Sequence, residues 1–133
     1  LRDVVGSICS KCYALKGRYG FPNVQDALQS RLEKLTDSRW VAAMVFLIGR
    51  KEKSGFFRWH DSGDLQSIAH LRQIAEVCEK TPEITHWLPT REFSTVSGYV
   101  KQFGPLPENL TVRPYYLGRI GARFFLPCSF PRK

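Results

Sequence analysis

The sequence predicts an α/β chain built on a sheet of about three parallel strands with crossover helices, either an open sheet or a partial barrel, with a cysteine loop at the N-terminus. Three observations carry this. Strand-like runs begin near Gly55, Glu83 and Leu110, 28 and 27 residues apart, which is the length of one strand–helix repeat and too long for hairpins. The segments between them carry apolar residues at helical spacing. With 43% apolar residues, including nine Phe, three Trp and five Tyr in 133 positions, the chain has the material for one globular core. We therefore expect a single α/β domain over 1–133. The start at Leu1 and the end at Lys133, just past a cysteine-bearing segment, read as a fragment of a longer protein.

The elements follow in order. After Cys9-Ser10-Lys11-Cys12-Tyr13, Gly17 and Gly20 punctuate the backbone and Pro22 suits the first turn of a helix. Val24, Leu28, Leu32 and Leu35 form its apolar stripe. Asp37 or Ser38 can cap a second helix from Arg39 to about Arg50, whose Trp40, Val41, Met44, Leu47 and Ile48 leave little polar surface and predict burial. Gly55 opens a strand, Phe56 to His60, which Asp61-Ser62-Gly63-Asp64 breaks. Asp64 is placed to cap the next helix, which carries Ile68, Leu71, Ala75 and Cys78 on one stripe and stops at Pro82. Glu83 to Leu88 is the second strand, Ser94 to Phe103 a further helix and Leu110 to Tyr116 the third strand. Period-two alternation pairs Arg58 with His60, His86 with Thr90 and Thr111 with Arg113. That pattern predicts one polar side to the sheet, as in an open barrel with a ligand-filled mouth.

Two thiols three apart on a tight turn can give two ligands to one metal ion or cluster. The spacing also suits a redox dithiol, or thiols with no role. Cys78 falls on an apolar stripe and reads as core. Cys128 follows Pro127 and could return toward Cys9 and Cys12, or simply end a strand, so the candidate metal ligands are Cys9, Cys12 and Cys128. In parallel α/β folds ligands bind beyond the carboxyl ends of the strands. Those ends place His60, Asp61, Ser62, Gly63, Asp64 and Arg91 as candidate ligand-binding residues, with a cap, a turn and a satisfied ring as the structural alternative for the first loop. His70 sits among helix-surface residues and is expected to be solvated; His86 fits either the mouth or the core.

A net charge of +8 and a pI near 9.6 favour polyanionic partners. The basic residues are scattered, and Lys16 and Arg18 beside the cysteine turn are the candidates for contact with nucleic acid. The longest apolar run, Val41 to Ile48, is too short to span a bilayer, and no charged-then-apolar leader opens the chain. Four cysteines are too few for a secreted disulfide scaffold. A cytoplasmic protein with no membrane partner is expected, its oligomeric state open.

The blocks Cys9-Ser10-Lys11-Cys12-Tyr13-Ala14-Leu15-Lys16-Gly17-Arg18-Tyr19, Phe21-Pro22-Asn23-Val24-Gln25 and Phe57-Arg58-Trp59-His60-Asp61-Ser62-Gly63-Asp64, in this order, resemble the phage gene product 88 family over most of the chain. Members carry a further cysteine upstream and more toward the C-terminus. The resemblance thus implies that Cys9, Cys12 and Cys128 belong to a larger cysteine set holding an iron–sulfur cluster or zinc, in a protein of the host cytoplasm. The layout is also similar in architecture to a radical S-adenosylmethionine half-barrel. By that likeness His60 to Asp64 would form the loop that meets the methionine amino group of S-adenosylmethionine. The leading expectation is an intracellular phage or bacterial protein with a cysteine-bound metal or iron–sulfur site beside a polar strand-end pocket, an enzyme of radical S-adenosylmethionine type among the readings. The alternative is a basic nucleic-acid-binding module with a structural zinc.

Overall fold

A computed structural model of the chain describes residues 12–114, which fall into two compact units dividing after Trp40. In the first unit Cys12 leads into a 3-10 turn, Tyr13–Leu15, and a second one follows at Gly17–Gly20. Gly17 joins them at φ +63°, a left-handed conformation that costs a residue without a Cβ little. Tyr13 and Tyr19 meet edge to face, ring centres 5.8 Å apart. Helix α1 (Pro22–Glu33) starts on Pro22 as predicted, and the Gln25 side-chain amide donates back to the Tyr19 carbonyl. The apolar stripe is present but thinly covered: no α1 residue is buried, and Leu32 remains exposed.

Before α2 (Trp40–Lys51), the Asp37 carboxylate accepts from the Arg39 backbone N–H at 2.9 Å and holds the Arg39 guanidinium at 2.8 Å. The Arg39 hydrogen bonds hold Asp37 down to about 2. The predicted burial of α2 is corrected. Only Ile48 is buried, while Phe46 is 63% and Leu47 48% exposed. Composition measured how apolar the helix is, but only one of its faces meets a core.

The second unit contains the predicted sheet. Strands β1 (Phe56–Arg58), β2 (Thr85–Thr90) and β3 (Leu110–Pro114) are all parallel in the order β1-β2-β3. Helix α3 (Ile68–Glu79) crosses from β1 to β2, and α4 (Phe93–Phe103) from β2 to β3. Crossovers of one hand place both helices on the same face, and α3 and α4 pack on each other. Gly98 permits their approach, since a Cβ there would stand 2.7 Å from Ile68 Cδ1.

Register decides what each face holds. Phe57, His86 and Leu110 lie in one row, and Arg58, Trp87 and Thr111 in the next. Burial along β2 alternates, with His86, Leu88 and Thr90 buried under the helices beside Leu71, Ile74, Val77 and Cys78. The predicted single polar face is therefore divided: Arg58, Thr111 and Arg113 stand on the face opposite α3 and α4, whereas His86 and Thr90 turn inward.

His86 is held in the core by one ring nitrogen, Nε2, while its buried Nδ1 has no hydrogen-bond partner. The Thr81 hydroxyl donates to the Val77 carbonyl at 2.8 Å, so at 2.8 Å from His86 Nε2 it must accept, which fixes the Nε2–H tautomer. The ring stacks on Trp59 with centres 5.9 Å apart, and burial lowers its pKa. Cys78 is fully buried in α3, its thiol pushed up to about 12 by burial. Among the described residues no helix is long and apolar enough to cross a membrane.

Candidate functional site

Beyond the carboxyl ends of β1 and β2 lies an open cleft of about 130 Å³ lined by Arg58, His60, Asp61, Gly63, Asp64, Pro89, Thr90 and Arg91. Five of the six residues expected to bind a ligand thus line one cleft; Ser62 sits within the same loop, half-buried, outside the lining. Arg58, Pro89 and Thr90 complete the lining. Alternation along the strands pairs Arg58 with His60 and puts Thr90 on a polar side without adding either to the ligand set; in the structure Arg58 and Pro89 lie on the face opposite α3 and α4 and reach the mouth from the side.

The loop after β1 is held open by its backbone. His60 adopts φ +55° and Gly63 φ +95°. For Gly63 this is inexpensive, but a histidine in the left-handed region carries strain of about 1 kcal/mol. The His60 ring meets His70 edge to face, centres 5.5 Å apart, and its buried Nε2 has no hydrogen-bond partner. Burial lowers the His60 pKa, with the Asp64 charge acting the other way. His60 is accordingly a neutral imidazole at neutral pH.

Asp64 ties the two strand-end loops together. Its Oδ1 accepts from the Leu65 backbone N–H at 2.8 Å and from the Thr90 hydroxyl, and its Oδ2 accepts from the Arg91 backbone N–H at 2.7 Å. The expected helix cap is corrected. Ser67 caps α3, its hydroxyl accepting from the His70 backbone N–H at 3.1 Å, because Asp64 lies four residues ahead of the first helical residue. His70 is corrected as well: it is 5% exposed, not solvated, and its Nδ1 accepts from the Gln66 backbone N–H at 3.4 Å. Burial, helped by His60, brings its pKa down to about 4.

The other predicted sites belong to the first unit or lie outside the described residues. Cys12 is half-exposed with a free thiol, and Lys16 and Arg18 are exposed. Cys9 and Cys128 lie outside the described residues. Among those described, no group of three or more His, Cys, Asp or Glu side chains is placed to hold a metal ion.

The family model described as Gene product 88 matches residues 5–125. The chain belongs to the Gene product 88 family. No curated protein and no solved structure matches it. The match spans the cysteine turn, the whole sheet and both strand-end loops, so the cleft is part of the Gene product 88 domain and not an appendage to it.

Proposed function

We propose that this Gene product 88 protein binds a small molecule with an amino-acid-like end in the strand-end cleft, with S-adenosylmethionine as the candidate, and that Cys9, Cys12 and Cys128 hold an iron–sulfur cluster or zinc. The observation that carries the ligand site is His60: a strained histidine with an unpartnered buried Nε2, at the mouth of a cleft beyond parallel strand ends. Strain of that kind persists where neighbours enforce it, and it concentrates at ligand sites. The lining supports a ligand of both charges, since Arg58 and Arg91 suit a carboxylate and Asp61 suits an ammonium. Asp64 contributes through the shape of the loop, its oxygens being taken by internal donors. The metal reading rests on the spacing of Cys9 and Cys12 and on the available Cys12 thiol.

Calorimetric titration of S-adenosylmethionine into anaerobically purified full-length protein tests the ligand. His60→Gly relieves the left-handed strain and removes the imidazole, so it should abolish binding while leaving the melting temperature unchanged or higher. Absence of binding by the parent protein, or undiminished binding by the variant, would refute the assignment. For the cysteines, elemental analysis of Cys9→Ser and Cys12→Ser proteins should show metal loss, with Cys78→Ser retaining its content. A coloured, oxygen-sensitive cluster would point to redox or radical chemistry and colourless zinc to a structural role.

A further inference from the structure

We infer that the face of the sheet opposite α3 and α4 is a platform for single-stranded nucleic acid. Phe56, Arg58, Thr85, Trp87, Thr111 and Arg113 share that face by register. Apart from Pro89, these are its described positions, and none is acidic. Phe56 is 62% exposed and the two arginines are exposed. The Arg58 guanidinium lies over the Trp87 ring, 4.9 Å from its centre, giving a flat cationic surface of the kind on which an unstacked base can lie. The Trp87 ring is half-buried and its indole Nε1 is covered, so the guanidinium and not the indole edge offers the stacking plane.

Arg58 and Arg113 are on the outer strands, offset by two rows, which separates their backbones by about 12 Å. Two cations at that spacing, with an exposed ring and a guanidinium–indole stack among them, can meet phosphates and base faces together. Charge complementarity extends beyond the face, the chain being +8. An acidic peptide would engage the arginines but gain nothing from a stacking surface, and a duplex keeps its base faces hidden. Arg58 is shared with the cleft, but Phe56 and Arg113 are not among its lining, so the variants at those two positions test the platform separately from the cleft.

The test is fluorescence anisotropy of full-length protein with labelled 15-nucleotide oligodeoxythymidine, oligouridine and a 15-base-pair duplex across a salt series. Both single strands should bind at low salt more tightly than the duplex, and a preference between them tells DNA from RNA. Arg58→Gln and Arg113→Gln should each lower the log–log salt slope by about 0.7. Phe56→Ser should weaken binding by about tenfold, with thermal melts showing the exposed substitutions to be folded. Lys16→Gln with Arg18→Gln should leave the Phe56 effect intact. No binding at low salt, equal binding of the duplex, or affinities indifferent to Arg113→Gln and Phe56→Ser would overturn the platform.

Discussion

The two ends of the sheet use the same kinds of side chain for opposite purposes. At the amino end most polar groups are spent on the fold, the buried His86 Nδ1 excepted. The Asn109 side-chain amide donates to the carbonyls of Cys78, Thr81 and Ile84 at 2.9, 3.1 and 3.0 Å, joining the last turn of α3 to the approaches of β2 and β3. The Thr81 hydroxyl closes on His86 in the same region. At the carboxyl end Asp64 performs a similar service, but beside it His60 keeps a strained backbone and an unpartnered nitrogen. Internal satisfaction marks a fastening, whereas a buried polar atom left unpaired in an open cleft marks a place for something else.

The contrast is broken most directly at Asn109. Asn109→Ala removes a donor from three carbonyls; those of Cys78 and Thr81 keep the Thr81 and Ile84 backbone N–H groups, so the loss falls hardest on the Ile84 carbonyl, and the change should cost about 2–3 kcal/mol. Urea denaturation would measure this loss. Ligand binding at the far end, measured below the unfolding transition, should stay unchanged. A small stability loss accompanied by a large binding loss would reverse the roles assigned to the two ends.

Acid should act mainly through His70. Its folded pKa of about 4 lies below the free value of 6.5, so on acidification the unfolded chain takes up the proton first. Stability is therefore full above about pH 6.5 and declines down to about pH 4, a loss of about 2 kcal/mol between pH 7.5 and 5. His60 and His86, also lowered by burial, act in the same direction. Denaturation curves of parent and His70→Gln proteins across this range should show a flatter dependence in the variant; parallel curves would remove His70 as the main titrating group.

Much of this architecture was legible because strand–helix spacing is set by backbone lengths. The starts near Gly55, Glu83 and Leu110 gave the three strands, and Pro22 gave the start of α1. The loop from His60 to Asp64 was legible as part of a strand-end cleft because the carboxyl ends of parallel strands open there whatever the chemistry. The remainder depended on partners that one-dimensional pattern does not contain. Asp64 reads as a cap by its position before a helix, yet Thr90 and the Arg91 N–H, 26 and 27 residues on, claim its oxygens. His70 reads as surface until its neighbour His60 and the fold bury it. Asn109 carries no motif at all, because the three carbonyls it serves converge only after the chain has folded.

Asp64→Asn sharpens the same comparison with a smaller effect. An amide has one acceptor oxygen, so it can serve Leu65 and Thr90 or the Arg91 N–H, but not all three, and its NH2 would face a donor. The expected cost is about 2 kcal/mol, read as a lower urea midpoint with an unchanged slope. A variant as stable as the parent would show that the clamp contributes little and that loop shape comes from Gly63 and His60.

The smallest effect is the most discriminating, because two glycines of nearly the same φ lie at opposite ends. Gly63 at φ +95° belongs to the cleft, and Gly104 at φ +90° ends α4 and leads toward the start of β3. At neither would an added Cβ meet an atom within 4 Å, so each alanine substitution is penalised by backbone strain alone, at about 1–2 kcal/mol. Thermal melts of Gly63→Ala and Gly104→Ala should therefore fall together. Titration with S-adenosylmethionine should separate them: the methyl group at 63 occupies space that a ligand approaching the bare backbone would need, while the one at 104 points into solvent far from the strand ends. Equal stability losses with a binding loss confined to Gly63→Ala would assign the open space above Gly63 to the ligand. Equal effects on binding would mean that Gly63 only makes a turn.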